Sequence, residues 1–174
     1  MFPDALHTPR LILRPVIPAD AGPIFDGYAT DPAVTRYLTW TPHRSLADTQ
    51  AYIAHCVAAQ ASRTFVLIGR DDGLLRGAFG LRWQESHRFG FGYVLARRWW
   101  GQGLMAEALG VVAHWVLAQP GVWRIGDACD VDNHASARVM EKAGFHREGV
   151  LRRWMVLPGF GDVPRDAIVY ARTR

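Results

Sequence analysis

The chain has 174 residues, 49% of them hydrophobic and 21% charged, which excludes a disordered segment and suits one globular domain over residues 1–174. No apolar run approaches the roughly 20 residues of a membrane helix, and the start lacks a basic-then-apolar layout, so neither a membrane partner nor a signal peptide is expected. The net charge of +4 is almost all guanidinium, since Lys142 is the one lysine, and guanidinium grips phosphate and carboxylate through a planar fork.

In chain order the pattern alternates between strands and helices. Arg10 to Ile17 sets Leu11 and Leu13 against Arg10, Ile12 and Arg14, as in a strand with one strongly apolar face. Pro18-Ala19-Asp20 opens a helix predicted through Tyr28, and a second short one is expected over Asp31 to Leu38, with Asp31 as cap and Pro32 at its first position. Ser45 caps a helix expected to reach Ser62, with Leu46, Thr49, Ile53, Val57 and Gln60 at helical spacing. Two strands flank Asp71-Asp72-Gly73, a strong hairpin signal.

His87 to Ala96 places Phe89, Phe91, Tyr93 and Leu95 on one strand face. The next helix is predicted from Gly103 to Gln119, with Leu104, Ala108, Val111 or Val112, and Trp115 on one face and Pro120-Gly121 as its stop. A strand over "VWRIGDAC" follows, then a helix from Asn133 to Ala143 stopped by Gly144, then two strands around Pro158-Gly159. No repeat or linker interrupts this. The pattern describes an α/β domain with a mainly antiparallel first half and a strand–helix–strand unit from Arg88 to Cys129.

The stretch "RRWWGQGLMAEAL", Arg97 to Leu109, sits where a strand ends and a helix begins. The first amides of a helix have no internal partner, and the helix dipole adds partial positive charge there, so such a junction binds phosphate when the backbone is accessible. Gly101 and Gly103 bare that backbone, and Arg97 and Arg98 add formal charge. A tight turn with solvated arginines explains the stretch equally well on its own, because Gly-x-Gly is a weak signal. No Gly-Lys-Ser or Gly-Lys-Thr follows, which excludes a P-loop. A dinucleotide fingerprint would put its third glycine at Ala106 and needs an acidic residue that is missing here.

The spacing Arg98-x-x-Gly101-x-Gly103 between a strand and a long helix resembles the coenzyme A pyrophosphate motif of the GNAT superfamily of N-acetyltransferases. Independently, Asn133 to Arg152 is similar to the signature of the ribosomal-protein-alanine acetyltransferase branch, matching at Asn133, Ser136, Lys142, Gly144, Phe145, Glu148 and Gly149. "TPRLILRP", "RYLTW" and "RDAIVYA" also look like that branch, so the likeness runs through essentially the whole chain.

The resemblance implies an α/β (α+β) fold: a splayed mixed, mostly antiparallel sheet of about seven strands flanked by helices, with acetyl-CoA in the gap between two central strands. Tyr93, Val94 and Leu95 are then expected to offer backbone groups to the acetyl and pantetheine. Arg97, Arg98, Gly101, Gln102, Gly103, Leu104 and Met105 are expected around the pyrophosphate. Asn133 is expected to bond the pantetheine arm as well as cap its helix, and Ser136 to stand near the thiol as the catalytic proton donor.

The implied reaction is attack of a neutral amine, on a peptide or protein amino terminus or a small molecule, upon the acetyl-CoA thioester. Some relatives carry a glutamate as base in the strand after Gly-Phe; the matching position here is Met155. Glu85, His87, His43 and Asp162 remain candidates, though each is more readily read as an ordinary surface group. Met155 also favours an alternative, a non-catalytic acyl-CoA-binding or interaction domain on the same fold. The seven histidines show no ligand spacing, so no metal is expected. Nucleic acid is not expected as a partner because no basic stripe with interleaved aromatics occurs. Cys56 and Cys129 form no disulfide framework, which fits a cytoplasmic location. A buried structural thiol is the expectation for Cys129. Trp99 and Trp100 are expected over or beneath the cofactor loop, and Trp40, Trp83, Trp154 and Phe160 are candidates for an acceptor pocket, with core packing the safer reading. A monomer or a homodimer is expected.

Overall fold

The computed structural model describes residues 2–174. Eight strands form one open sheet: β1 (Leu6–His7), β2 (Leu11–Pro15), β3 (Ser62–Gly69), β4 (Leu75–Glu85), β5 (Arg88–Leu95), β6 (Arg124–Asp130), β7 (His146–Met155) and β8 (Arg165–Thr173). Their order is β1-β2-β3-β4-β5-β6-β8-β7, antiparallel throughout except for the parallel pair β5–β6. The strand beyond the expected seven is β1, too short to show a period in the sequence.

Strand alternation sorts the core into two faces. Leu11, Leu13, Phe65, Leu67, Phe79, Leu81, Phe89 and Phe91 pack on one face beneath α4 (Leu104–Leu117) and α5 (His134–Lys142). Between Val111 and Val112 it is Val112 that is buried in this layer. Val66 and Ala78 belong to the opposite face, covered by α1 (Ala21–Ile24), α2 (Pro32–Thr35) and α3 (Leu46–Ala58). Burying side chains this size contributes about 1.5–3 kcal/mol each, so the sheet is held from both sides.

Several helix predictions are shortened by local chemistry. The helix expected through Tyr28 is a 3-10 turn (Pro18–Asp20), then α1, then a π-type turn (Phe25–Ala29). Pro23 lacks an amide hydrogen and Gly22 and Gly27 lower helix propensity, so no regular helix spans the segment. Asp31 does cap α2, its Oδ1 accepting from Ala33 N at 2.8 Å, but α2 ends at Thr35. The helix expected to reach Ser62 stops at Ala58 because Ser62 already pairs with Arg82 as the first residue of β3. Its buried stripe is Thr49 and Ile53, while Leu46 and Val57 face solvent.

The parallel pair decides where a ligand can enter. β5 and β6 meet only at Arg88↔Arg124 and Phe89↔Ile125 and then part. On its other edge β6 pairs with β8 along its whole length, from Arg124↔Thr173 to Asp130↔Ala167. The sheet therefore splits between β5 and β6, closed at Arg88 and open toward Leu95 and Asp130.

Candidate functional site

A parted strand leaves main-chain groups without partners, and in this gap they are few and identifiable. Ala96 N donates to Arg76 O, so the even-numbered residues of β5 direct their main chain toward β4. Phe91 directs its main chain the other way: its N–H donates to Asp127 Oδ2 at 2.9 Å and its carbonyl accepts from Arg82 Nη2 at 2.7 Å. By the same alternation the N–H and C=O of Tyr93 face the gap. Leu95 follows, its carbonyl accepting from Trp100 Nε1 at 2.7 Å. Of the three β5 residues predicted to offer backbone, Tyr93 and Leu95 face the gap. Val94 faces β4 with its main chain, opposite Ala78, because it is one residue out of phase.

A strut that the sequence did not announce spans the closed half. Arg82 reaches from β4 past β5 to an ion pair with Asp127 on β6. The bare Cα of Gly92 leaves room for it, since a Cβ there would stand 3.2 Å from Arg82 Nη1. Burial pushes the Asp127 carboxyl up, against the opposing pull of Arg82 and the amides of Ala128 and Phe91.

At the open end β5 runs into a 3-10 turn, Arg97–Trp99, and then the glycine loop before α4. Gly101 and Gly103 both have φ of +75°, a left-handed conformation that side chains with a Cβ resist. Space is not the reason, because a Cβ at Gly101 would meet nothing within 4 Å. Gly103 is the N-cap of α4 and offers no side chain to its first amides. The amides at the start of α4 are therefore left facing outward beside a helix dipole. Arg97 and Arg98 are exposed there and make no ion pair among the described residues.

The loop is braced from behind by residues far away in sequence. Arg10 Nη1 donates to Gln102 O at 2.9 Å, and Arg10 Nε donates to Glu107 Oε2 at 2.7 Å. Glu107 Oε1 also accepts from Arg10 N at 3.0 Å and from the Thr8 hydroxyl. Burial alone would raise the Glu107 carboxyl; the bonds from Thr8 and Arg10 outweigh it and hold it below the ordinary carboxylate value. The two tryptophans have separate tasks. Trp100 ties the turn to Leu95 O, and Trp99 lies beneath the Arg76 guanidinium, 4.2 Å from its ring centroid.

Across the gap, α5 begins at the end of β6. Asn133 caps it, its Oδ1 accepting from Ser136 N at 3.1 Å. Ser136 then stands in the first turn, and its Oγ is 2.8 Å from the Tyr93 hydroxyl, either one donating. Ser136 O, 3.2 Å away, is the alternative acceptor for the same phenol proton. The sequence singled out Tyr93 for its backbone; the structure adds its side chain as the group that holds Ser136. Burial drives the Tyr93 phenol well above its ordinary range, so it stays protonated. Cys129 is buried beside Ser136, and burial pushes its thiol up to about 11, which makes it a packed thiol rather than a nucleophile.

The candidate bases separate. Glu85 ends β4 and His87 lies in the β4–β5 turn, with Arg88 Nη2 donating to Glu85 Oε1 at 2.6 Å, at the closed end of the gap. His43 Nδ1 and Thr49 Oγ1 are hydrogen-bonded at 2.7 Å, and the ring stacks on Trp40 with centroids 4.9 Å apart. Burial lowers the His43 imidazole against a smaller opposing pull from Asp48, leaving it neutral at pH 7. Met155 lies opposite Arg165, with no carboxylate in its place. The four aromatics also divide: Trp40 and Phe160 line one cleft, whereas Trp83 packs on Phe89 near the closed end and Trp154 is 62% exposed. Among the described residues no His, Cys, Asp and Glu group is placed to hold a metal.

Comparison with known proteins decides the family. A family model described as an acetyltransferase (GNAT) domain matches residues 10–146. The chain belongs to the GNAT acetyltransferase family. YoaA of Bacillus subtilis (strain 168), described as an uncharacterized N-acetyltransferase, is 34% identical over 98% of this chain and 97% of its own. The GNAT-family acetyltransferase of Bacillus anthracis superposes with a TM-score of 0.86 at 23% identity, covering 97% of this chain and 98% of its own. RimL, a ribosomal L7/L12 alpha-N-protein acetyltransferase solved with coenzyme A, superposes with a TM-score of 0.85 at 21% identity, covering 97% of each chain. These two structures share the GNAT fold. No helix among the described residues is long and apolar enough to cross a membrane.

Proposed function

We propose that this GNAT protein transfers the acetyl group of acetyl-CoA to a primary amine by direct attack in a ternary complex. The observation that carries the reading is the pair of features at one open end: the unpartnered Tyr93 main chain and the Tyr93–Ser136 hydroxyl pair 2.8 Å apart. The pyrophosphate rests on the outward amides from Gln102 to Met105, with Arg97 and Arg98 alongside. The pantetheine amides pair with the free edge of β5, as a strand would, and the free amide hydrogens of Asn133 meet it from α5. The thioester carbonyl then accepts from the Tyr93 N–H.

The amine nitrogen forms its bond to the carbonyl carbon while the carbon–sulfur bond breaks, and the sulfur leaves with the electron pair. Ser136 gives its proton to that sulfur, Tyr93, donating to Ser136 Oγ, replaces it, and solvent returns a proton to the phenol. The first turn of α5 favours negative charge at the same point. A protonated phenol suits this role. The proton lost from the amine goes to solvent, since Met155 offers no base.

The test is release of free thiol from acetyl-CoA across a panel of amines, read beside the melting shift caused by coenzyme A. Amine-dependent release supports the transferase. A coenzyme A shift with no release under any amine overturns it in favour of an acyl-CoA-binding domain.

A further inference from the structure

The open end of the gap has an outer wall whose chemistry none of the foregoing uses. Val131 and Asp132, the residues that join β6 to Asn133, line a cleft of about 430 Å³ together with Arg152, Arg153, Phe160 and Arg165. A second cleft of about 380 Å³ is lined by Arg36, Trp40 and, again, Phe160. Phe160 is the partition between them. The Arg165 and Arg36 guanidiniums both lie over its ring, 4.2 and 4.9 Å from the centroid, and Tyr37 packs on the same ring at 5.1 Å. Tyr37 OH donates to Asp132 O at 3.4 Å, which fixes this aromatic group one residue from the Asn133 cap. Gly159 allows the approach, because a Cβ there would stand 2.5 Å from Arg36 O.

The charges around this partition do not cancel. Arg165 is taken up by Asp130, at 2.5 and 3.0 Å, and by Asp132 at 2.7 Å. Asp166 accepts from Arg153 N at 2.9 Å and from Arg152 Nη1 at 3.5 Å. Both carboxylates that line the larger cleft, Asp132 and Asp166, are thus already engaged. Arg36 and Arg153 have no carboxylate partner among the described residues, Arg153 giving only Nη1 to Pro164 O at 3.2 Å. Arg153 is also the one non-glycine residue with positive φ, +49°, among the described residues. A residue with a Cβ is strained in that conformation, and such strain gathers at ligand sites.

We infer that the acceptor carries a carboxylate beside its amine, and that Arg36 and Arg153 select it across the Phe160 partition. This rests on the acetyltransferase reading for the amine and adds the acceptor's charge. Arginine is suited to it: the planar fork meets a carboxylate with two parallel hydrogen bonds, and stacking on Phe160 holds Arg36 in place before the acceptor arrives. The carboxylate can belong to an acidic residue at a peptide amino terminus or to a free amino acid.

The experiment compares two matched pairs, an Asp-containing against an Asn-containing peptide with free amino termini, and glutamate against glutamine. Binding to the coenzyme A complex is measured by calorimetry, and thiol release from acetyl-CoA is measured beside it. The acidic member of at least one pair binds at least about tenfold more tightly, a ratio that shrinks in raised salt. Arg36→Gln with Arg153→Gln brings the ratio near one, the double lysine variant restores most of it, and Arg153→Glu reverses it. The coenzyme A melting shift confirms that each variant is folded. Which pair responds separates the peptide from the amino acid. Equal binding within both pairs, or a preference that survives the double glutamine variant, overturns the inference. Because binding is read without turnover, absence of thiol release alone counts against the transferase reading and leaves the charge preference decided.

Discussion

On the proposed reading, the groups that meet the donor on the α4 side of the gap are main chain: the amides after Gly103, the free edge of β5 and the dipole of a helix. On the α2 and β7–β8 side they are side chains, with Arg36, Arg153 and Phe160 brought together from opposite ends of the chain. Main-chain sites depend on backbone conformation, so they tolerate almost any side chain except at the glycines that set the dihedrals. Side-chain sites depend on residue identity and can be rewritten without disturbing the fold. On that reading the fold keeps the donor site fixed and leaves the acceptor site free to change.

The most damaging way to break that division is Gly103→Val. At φ of +75° a β-branched residue is strained, so the loop must move and the outward amides lose their aim. Coenzyme A at a hundred times its dissociation constant stabilises the wild-type by about 2.7 kcal/mol, and the variant is expected to lose that shift in thermal denaturation. Phe160→Ala, on the other wall, is expected to keep it. A variant at Gly103 that folds and still shows the full wild-type shift removes the amide cradle from the account.

How readily each wall was read from sequence follows the same division. The glycines, the Asn133 cap and Ser136 stand within short stretches whose spacing carries the geometry, and each occupies the expected place on its element. The β5 face of Phe89, Phe91, Tyr93 and Leu95 was equally plain, because a strand alternates by two. What stayed hidden was long-range. Nothing near Arg10 announces that it holds Gln102 O, and nothing near Arg82 announces Asp127 across two strands. Tyr93 was singled out for its backbone, since strand phase reveals which face a side chain takes but not which hydroxyl it meets. Trp83 and Trp154 were grouped with Trp40 and Phe160 on residue type alone, and tertiary placement separates them.

The Ser136 pair allows a finer test at the meeting of the two walls. Ser136→Ala is expected to lower kcat at least about tenfold with coenzyme A affinity nearly unchanged, because a positioned proton donor is worth ~10²–10⁴-fold and the loop supplies the affinity. Tyr93→Phe is expected to cost less, since water can replace the phenol as proton source, and to steepen the dependence on pH. Steady-state kinetics with a confirmed acceptor, beside calorimetric binding, separates the two. Wild-type turnover in the alanine variant means that the thiolate leaves with another donor's proton. Asn133→Ala should invert the pattern, weakening coenzyme A binding and costing the fold about 1 kcal/mol through the lost cap, as denaturant unfolding will read.

The smallest expected effect lies behind the glycine loop, at Glu107. Its folded carboxyl is held below the ordinary value by Thr8 and Arg10, so it contributes stability above the unfolded carboxylate value of about 4.3 and loses it as pH falls through the lower, folded one. The sign follows from proton binding: in that window the unfolded chain takes up the proton first, and stability drops with pH. Arg10 is 49% exposed while Glu107 is 18% exposed, so solvent screens half of the pair and the whole brace is worth about 1 kcal/mol. Glu107→Gln keeps the shape and removes the charge. Its melting temperature should lie below the wild-type at pH 7, and the two should converge as pH falls through the folded carboxyl's lowered value. The coenzyme A shift should weaken in parallel, because Arg10, freed from Glu107, no longer holds Gln102 O in place. A constant gap between the two proteins from pH 7 to pH 3 would mean that shape alone braces the loop, and that the main-chain wall needs no distant charge to hold its conformation.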